Sequence, residues 1–404
     1  MFQHVVAYPG DPILTLNEAF AADPRDTKVN LSIGVYLDEH RRLPLMKSVA
    51  TAETEQRRQQ EPHPYLPMEG LGNYAVQVKR LVFGADIAQA NDDRIGSIQT
   101  LGGSGALKVG ADFLASWFPA AQVWVSAPTW DNHWGIFTGA GFAVNEYGYY
   151  SSLTKGVDFA ALLDSASAMA AGDIVVLHGC CHNPTGADLS SDQWRVLAEV
   201  FRERKLIPIF DIAYQGFGRG IDEDAFAVRH FAAQNIPLLV ASSFSKNFAL
   251  YGERCGALQI FCPDAYQAAT VLSQLKLTVR RIYSSPPAFG GRIVATVLQD
   301  SSLRALWESE LAGMRSRMRA MREGLHNELK SLAPTCDFDY LLTQQGMFSF
   351  TGLTVQQVRA LRERFGIYLI ETGRVCIAAL TEEVLPYVAE SIVEVIKEGS
   401  HGKV

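Results

Sequence analysis

Leu206-Ile207-Pro208-Ile209-Phe210-Asp211-Ile212-Ala213-Tyr214 is a short apolar run that ends on an acid and, shortly after, a tyrosine. A run of this length and composition reads as a strand buried on both faces. Its neighbours repeat the pattern. Apolar runs at Arg94–Thr100, Gln122–Ser126, Phe142–Tyr147, Asp173–His178, Pro237–Ser242 and Gly256–Phe261 alternate with amphipathic stretches such as Ala106–Trp117 and Ser190–Arg204. Such alternation predicts an α/β fold, with a mostly parallel sheet flanked by helices. Ligands of open sheets of this kind sit at the carboxyl ends of the strands, so Asp211 is predicted to stand at a ligand-binding edge.

The rest of the chain follows another pattern. Ser301–Ser331 reads as one long helix closed by Ala333-Pro334. After it come Met347–Phe350, a helix over Val355–Phe365, strand-like Tyr368–Ile370 and Val375–Ala378, and a last helix from Leu385. This predicts a smaller α+β domain. Met1–Leu43, punctuated by Pro9, Pro12 and Pro24, reads as an arm leading into it. The expected division is residues 1–43, a large domain over 44–313, and 314–404. A chain of 404 residues suits two lobes, because single cores stop growing at about 250–300 residues.

With 36 basic against 43 acidic residues the net charge is −7, which leaves no electrostatic footprint for nucleic acid or an anionic membrane. No stretch approaches the ~18–20 apolar residues of a membrane helix. Asp11 and Glu18 interrupt the N-terminal segment, which argues against a signal peptide and for a cytoplasmic protein. The six cysteines include no Cys-x-x-Cys pair. Cys180-Cys181-His182 lacks a second cluster of ligands, so no metal is expected and the thiols are expected to be buried and structural.

Chemistry-bearing residues recur at strand ends. Thr100-Leu101-Gly102-Gly103-Ser104-Gly105-Ala106 passes from a strand into a helix, where backbone N–H groups and the helix dipole favour an anion. Its spacing is neither that of a P-loop nor that of a dinucleotide fingerprint, and a single phosphate fits it better than a pyrophosphate. A turn that only packs helix on strand is the plain alternative. Asp211 at an edge requires a cationic partner, which a protonated ring nitrogen would supply; a helix cap is its alternative. Leu238–Ser243-Phe244-Ser245-Lys246 ends a strand in hydroxyls and a lysine able to form a Schiff base, with Arg254 close behind. His178–Gly186 presents Asn183 before a proline, and Trp130 follows another strand. Together they offer a phosphate anchor, a pyridinium partner, an amine for an aldehyde, an amide for a ring oxygen and a stacking plate. Those are the needs of pyridoxal 5′-phosphate.

On these residues the sequence resembles the fold-type I pyridoxal-phosphate aminotransferases, in the aspartate and aromatic subgroup. The motifs are His182-Asn-Pro-Thr-Gly186, Asp211-Ile-Ala-Tyr-Gln-Gly216, Ser243-Phe-Ser-Lys246 with Gly252-Glu-Arg254, and Ser284-Ser-Pro-Pro287. Tyr65–Gly70, Leu101–Phe113, Thr278-Val-Arg-Arg281 and Phe338–Leu342 are most similar to bacterial tyrosine (aromatic) aminotransferases. The resemblance implies a seven-stranded large domain, a homodimer with shared active sites, and ping-pong transfer of the amino group of tyrosine, phenylalanine and aspartate to 2-oxoglutarate. A narrower aspartate enzyme is the competing expectation. A nucleotide-binding dehydrogenase is the distant one, disfavoured by the glycine spacing.

The same resemblance implies roles residue by residue. Lys246 would join the cofactor and carry the proton, Asp211 would hold the pyridine nitrogen protonated, and Tyr214 with Asn183 would bond the ring oxygen. Gly103, Ser104, Ser243, Ser245 and Arg254 would bind phosphate, joined by Tyr65 of the second subunit, and Trp130 would cover the ring. His133 and His178 match positions beneath the ring. Arg374 would grip the substrate α-carboxylate, Arg280 from across the dimer would meet a side-chain carboxylate, and Gly34 belongs to a loop closing over the substrate.

Overall fold

The expected runs pair into one sheet. β1 (Ile95–Leu101), β2 (Val123–Ala127), β3 (Val144–Gly148), β4 (Ile174–His178), β5 (Ile207–Ile212), β6 (Leu238–Ser243) and β7 (Cys255–Phe261) form seven strands in the order β1-β7-β6-β5-β4-β2-β3. β7 is antiparallel to β1 and β6, and the other pairings are parallel. β1, β2, β4, β5 and β6 therefore end at the same edge, and β7 begins there, directly after Arg254. The computed structural model describes every residue except Pro9, Asp11, Glu61 and residues 402–404.

Burial explains why the runs read so clearly. β4, β6 and β7 are buried along their whole length, whereas the outer strand β3 is largely half-exposed. The expected strand at Phe142 begins two residues later. Gly141 (φ +99°) turns the chain and Phe142 closes back on Phe137, with its N–H on the Phe137 carbonyl at 3.1 Å. Phe142 is thus an anchor before the strand. Helix α1 (Gly102–Trp117) begins four residues ahead of the expected Ala106. The glycines form its first turn instead of a separate loop. Its apolar face, with Leu107 and Leu114, packs on Ile209, Leu239 and Leu258 of the sheet. Each such fully buried side chain contributes about 1.5–3 kcal/mol. Helix α2 (Asp131–Thr138) follows β2, and α3 (Ser191–Arg204) starts with a capping box between Ser190 and Gln193.

The chain divides into two compact units, one of residues Pro44–Arg317 and one of Met1–Leu43 with the residues from Met318 onward. The boundary falls inside the long helix α4 (Ser301–Leu332). The second unit pairs Val29–Asn30 with Ile367–Tyr368 in parallel and Phe348–Phe350 with Arg374–Cys376 in antiparallel register. Helices Val355–Phe365 and Leu385–His401 belong to it. Arg25 ties the chain after helix Pro12–Ala22 to the C-terminus of Val355–Phe365, donating to the carbonyls of Arg362 (2.9 Å) and Glu363 (3.0 Å). A cation suits the carbonyls at a helix C-terminus.

Among the described residues no helix is long and apolar enough to cross a membrane. All the cysteines are free, and five are buried. Cys336 departs from expectation in being half-buried, because it lies in the turn after α4, its N–H on the Ala333 carbonyl at 3.0 Å.

Candidate active site

The edge where β5 ends is organised around Asp211. This carboxylate is cross-strand neighbour to His178 of β4 and accepts a hydrogen bond from His133 Nε2 at 3.1 Å. A carboxylate can only accept, so Nε2 carries the hydrogen, and the Thr129 hydroxyl, 2.8 Å from Nδ1, completes the ring's bonding. Burial alone would raise the Asp211 pKa. The His133 hydrogen bond, helped by the Lys246 ammonium, outweighs burial, so Asp211 lies below its ordinary value and stays anionic.

Beneath it the imidazoles of His133, His178 and His182 pack in succession, with centroids 5.1 and 4.2 Å apart, and Tyr149 stacks on His182 at 4.0 Å. Burial, then repulsion from His133, lowers His178 to about 3, and burial lowers His182, so both are neutral at pH 7. The His182 tautomer follows from its neighbours. Ser126 Oγ donates to the Pro128 carbonyl (2.8 Å) and so accepts from His182 Nε2 (2.9 Å). Thr185 then donates to Nδ1 at 2.8 Å. The end of β2 and the Asn183 turn are joined through that ring.

Lys246 sits in the turn after β6, its ammonium nitrogen 5.2 Å from the centroid of the Tyr214 ring. Its flanks are pinned. The Phe244 N–H bonds the Cys255 carbonyl at 3.0 Å, Phe248 stacks on Trp307 at 4.7 Å, and Trp307 Nε1 donates to the Asn247 carbonyl at 2.7 Å. Asn183 is buried in the turn after β4. Trp130 is half-buried before α2, its ring 5.3 Å from that of His133.

Beside this group lies an anion cradle. The start of α1 has no side-chain cap, so its first N–H groups remain available. Gly102 (φ +68°) lies so near Arg254 that a Cβ there would sit 2.7 Å from Nη2, and one on Gly103 would sit 3.1 Å from Ser243 Cβ. Ser243 Oγ bonds Ser245 Oγ at 3.1 Å, and Arg254 Nη1 reaches the Tyr251 carbonyl at 2.8 Å and Ser245 Oγ at 3.4 Å. Ser104 occupies the first turn of the same helix. Two other expected residues are exposed: Tyr65 is 98% exposed, and Arg280 is exposed at the end of helix Ala265–Ile282, bonded to Ser284 Oγ.

In the other unit, Arg374 is 4% exposed, donates to the Ser32 carbonyl at 2.7 Å, and has its guanidinium carbon 4.2 Å from the centre of the Phe348 ring. A Cβ on Gly34 would lie 2.9 Å from Phe348 Cζ, so that loop rests directly on the aromatic ring. Thr129, Ser126 and Phe348 were not singled out from sequence, and His182 was quoted only in motifs without this role. A hydroxyl at or just after the end of an apolar strand was the signal for the first two. Phe348 offered none.

Residues 26–392 match the family described as aminotransferase class I and II. The chain belongs to that family. An aromatic-amino-acid aminotransferase of Escherichia coli is 54% identical over 98% of this chain and 100% of its own. An aspartate aminotransferase of Pseudomonas aeruginosa is 47% identical over 98% and 100%. Among solved structures, an aromatic-amino-acid aminotransferase of Burkholderia pseudomallei covalently bound to pyridoxal phosphate superposes with a TM-score of 0.95, at 50% identity over 98% of this chain and 99% of its own. This aminotransferase has the residues for that group. The uncapped helix start with two serines and an arginine suits a phosphate, anionic Asp211 suits a protonated ring nitrogen, and Lys246 beside Tyr214 suits an aldehyde.

Proposed function

We propose that this aminotransferase moves the amino group of tyrosine, phenylalanine and aspartate to 2-oxoglutarate by a ping-pong cycle, as a cytoplasmic homodimer. Bound pyridoxal 5′-phosphate supplies an aldehyde that reacts with amines and a protonated ring that draws electron density from the substrate Cα. The observation that carries the reading is the convergence at one sheet edge of an anionic acid, a lysine over a tyrosine ring, and an anion cradle.

Asp211, kept ionised by His133, would hold the ring nitrogen protonated. Lys246 would hold the cofactor through its aldehyde and, as a free amine, would carry the proton to and from the substrate Cα. Tyr214 and Asn183 donate to the ring oxygen, and Trp130 covers the ring and excludes water. Gly103, Ser104, Ser243, Ser245 and Arg254 bind the phosphate. Arg374 takes the substrate α-carboxylate with a two-pronged fork, and the Gly34 loop closes over it. Tyr65 and Arg280 act in the site of a second copy, for phosphate and side-chain carboxylate respectively; their exposure in one protomer supports this. Residues 1–43, 44–313 and 314–404 act as arm, cofactor domain and small domain. The free cysteines support a reducing compartment.

Borohydride reduction of the cofactor-loaded protein, followed by peptide mass mapping, tests the reading. The adduct is expected on Lys246, with turnover of all three donors; an adduct on any other lysine overturns it.

A further inference from the structure

Two carboxylates near the edge, buried Asp224 and half-buried Asp188, take no part in the chemistry above. Asp188 accepts the Cys181 N–H at 2.7 Å on one oxygen and the His182 N–H at 2.8 Å on the other. It thereby holds Cys181 in a left-handed conformation (φ +50°), two residues before Asn183. Asp224 accepts N–H groups of Gly216 (2.8 Å), Gly218 (2.9 Å) and Arg219 (2.8 Å), so the chain after Tyr214 wraps round it. A Cβ on Gly218 would lie 2.6 Å from its Oδ1. The two loops touch. Cys181 Sγ lies 3.9 Å from the Tyr214 carbonyl, and ligand-type atoms of Cys180, Cys181 and Asp224 lie within 4.8 Å of one another.

We propose that Asp188 and Asp224 are positioning residues that pin the Asn183 and Tyr214 loops and so set the hydrogen bonds both side chains give to the cofactor's ring oxygen. The inference rests on the proposed cofactor reading. Burial raises both carboxyls, Asp188 to about 6, and the N–H groups they accept oppose it. The charged or titratable groups facing Asp188 are Asp224, Arg219, Tyr149 and Cys180. These sites need acceptors on both oxygens, which a carboxylate provides and an amide does not. In Asp188→Asn, whichever way the amide lies, an N–H faces an N–H. Asp224→Asn has the same conflict.

The test is the pH midpoint of the visible absorption of the cofactor-loaded protein, read for wild type, Asp188→Asn and Asp224→Asn. A ring oxygen with misaligned donors holds negative charge less well, so the protonated form persists to higher pH. The midpoint is expected to rise by about one pH unit, the size of one lost hydrogen bond to a charged group. Variants that carry the Lys246 adduct, melt at lower temperature and keep the wild-type midpoint overturn the proposal, because a purely structural role predicts that result. Absence of the Lys246 adduct in the wild type overturns the cofactor reading and this inference with it. Amide exchange of cofactor-free wild type needs no variant. Protection of Cys181, His182, Gly216 and Gly218 is expected, and rapid exchange there sinks the proposal.

Discussion

In the proposed reading Arg254 and Arg374 solve one problem, the binding of an anion, in opposite ways. Arg254 is exposed, stands at a strand entrance, and shares its task with a helix N-terminus and two serine hydroxyls. Arg374 is buried, donates to the Ser32 carbonyl and is set against the Phe348 ring. The first arrangement spreads the load over many donors, several of them backbone. The second concentrates it in one guanidinium whose orientation is fixed before substrate arrives. A group that stays bound suits the first, and a substrate that must be aligned at each turnover suits the second.

The largest effect should come from breaking the concentrated site. Arg374→Ala removes two charge-assisted bonds worth about 1.5–3 kcal/mol each, so kcat/KM for every donor should fall by roughly 10²–10⁴. Steady-state kinetics with tyrosine and aspartate check this, and a loss under about tenfold would remove Arg374 from the proposed role. Arg254→Ala should cost less. One exposed cation among several donors contributes up to about 1–2 kcal/mol, so the cofactor dissociation constant should rise by roughly tenfold, with kcat at saturating cofactor nearly kept. Should the two substitutions cost alike, the contrast between shared and concentrated binding fails.

The sequence made the shared site far easier to read than the concentrated one. β5 and β6 announce themselves because burial on both faces demands an unbroken apolar run, and Asp211 and Lys246 stand out as polar residues that end it. The glycines after β1 were visible as a strand-to-helix passage, although their place inside the helix was not, since Gly weakens any helical pattern. Phe142 misled because apolar character alone cannot separate a strand residue from an anchor before the strand. Arg374 was placed by resemblance. Its support was hidden, because Phe348 and Ser32 meet it only through tertiary contact across widely separated segments. Asp188 and Asp224 were hidden for a related reason. Their partners are backbone N–H groups, which every residue has and no side-chain pattern reports.

Phe348 gives the finest test of the comparison. The ring lies under Arg374 and under the Gly34 loop together, so it fixes the guanidinium plane and the height at which the loop rests. Phe348→Leu keeps an apolar side chain in the strand but removes the ring face. A cation over an aromatic ring is worth about 0.5–2 kcal/mol, so KM for all donors should rise by roughly fivefold. The Gly34 loop, relieved of its contact, should settle closer, and kcat should change less than KM. If Arg374 were instead a tolerant, many-partner site like that of Arg254, losing one neighbouring ring would leave KM unmoved. An unchanged KM in Phe348→Leu, alongside the full loss in Arg374→Ala, would show that the ring does not orient the fork.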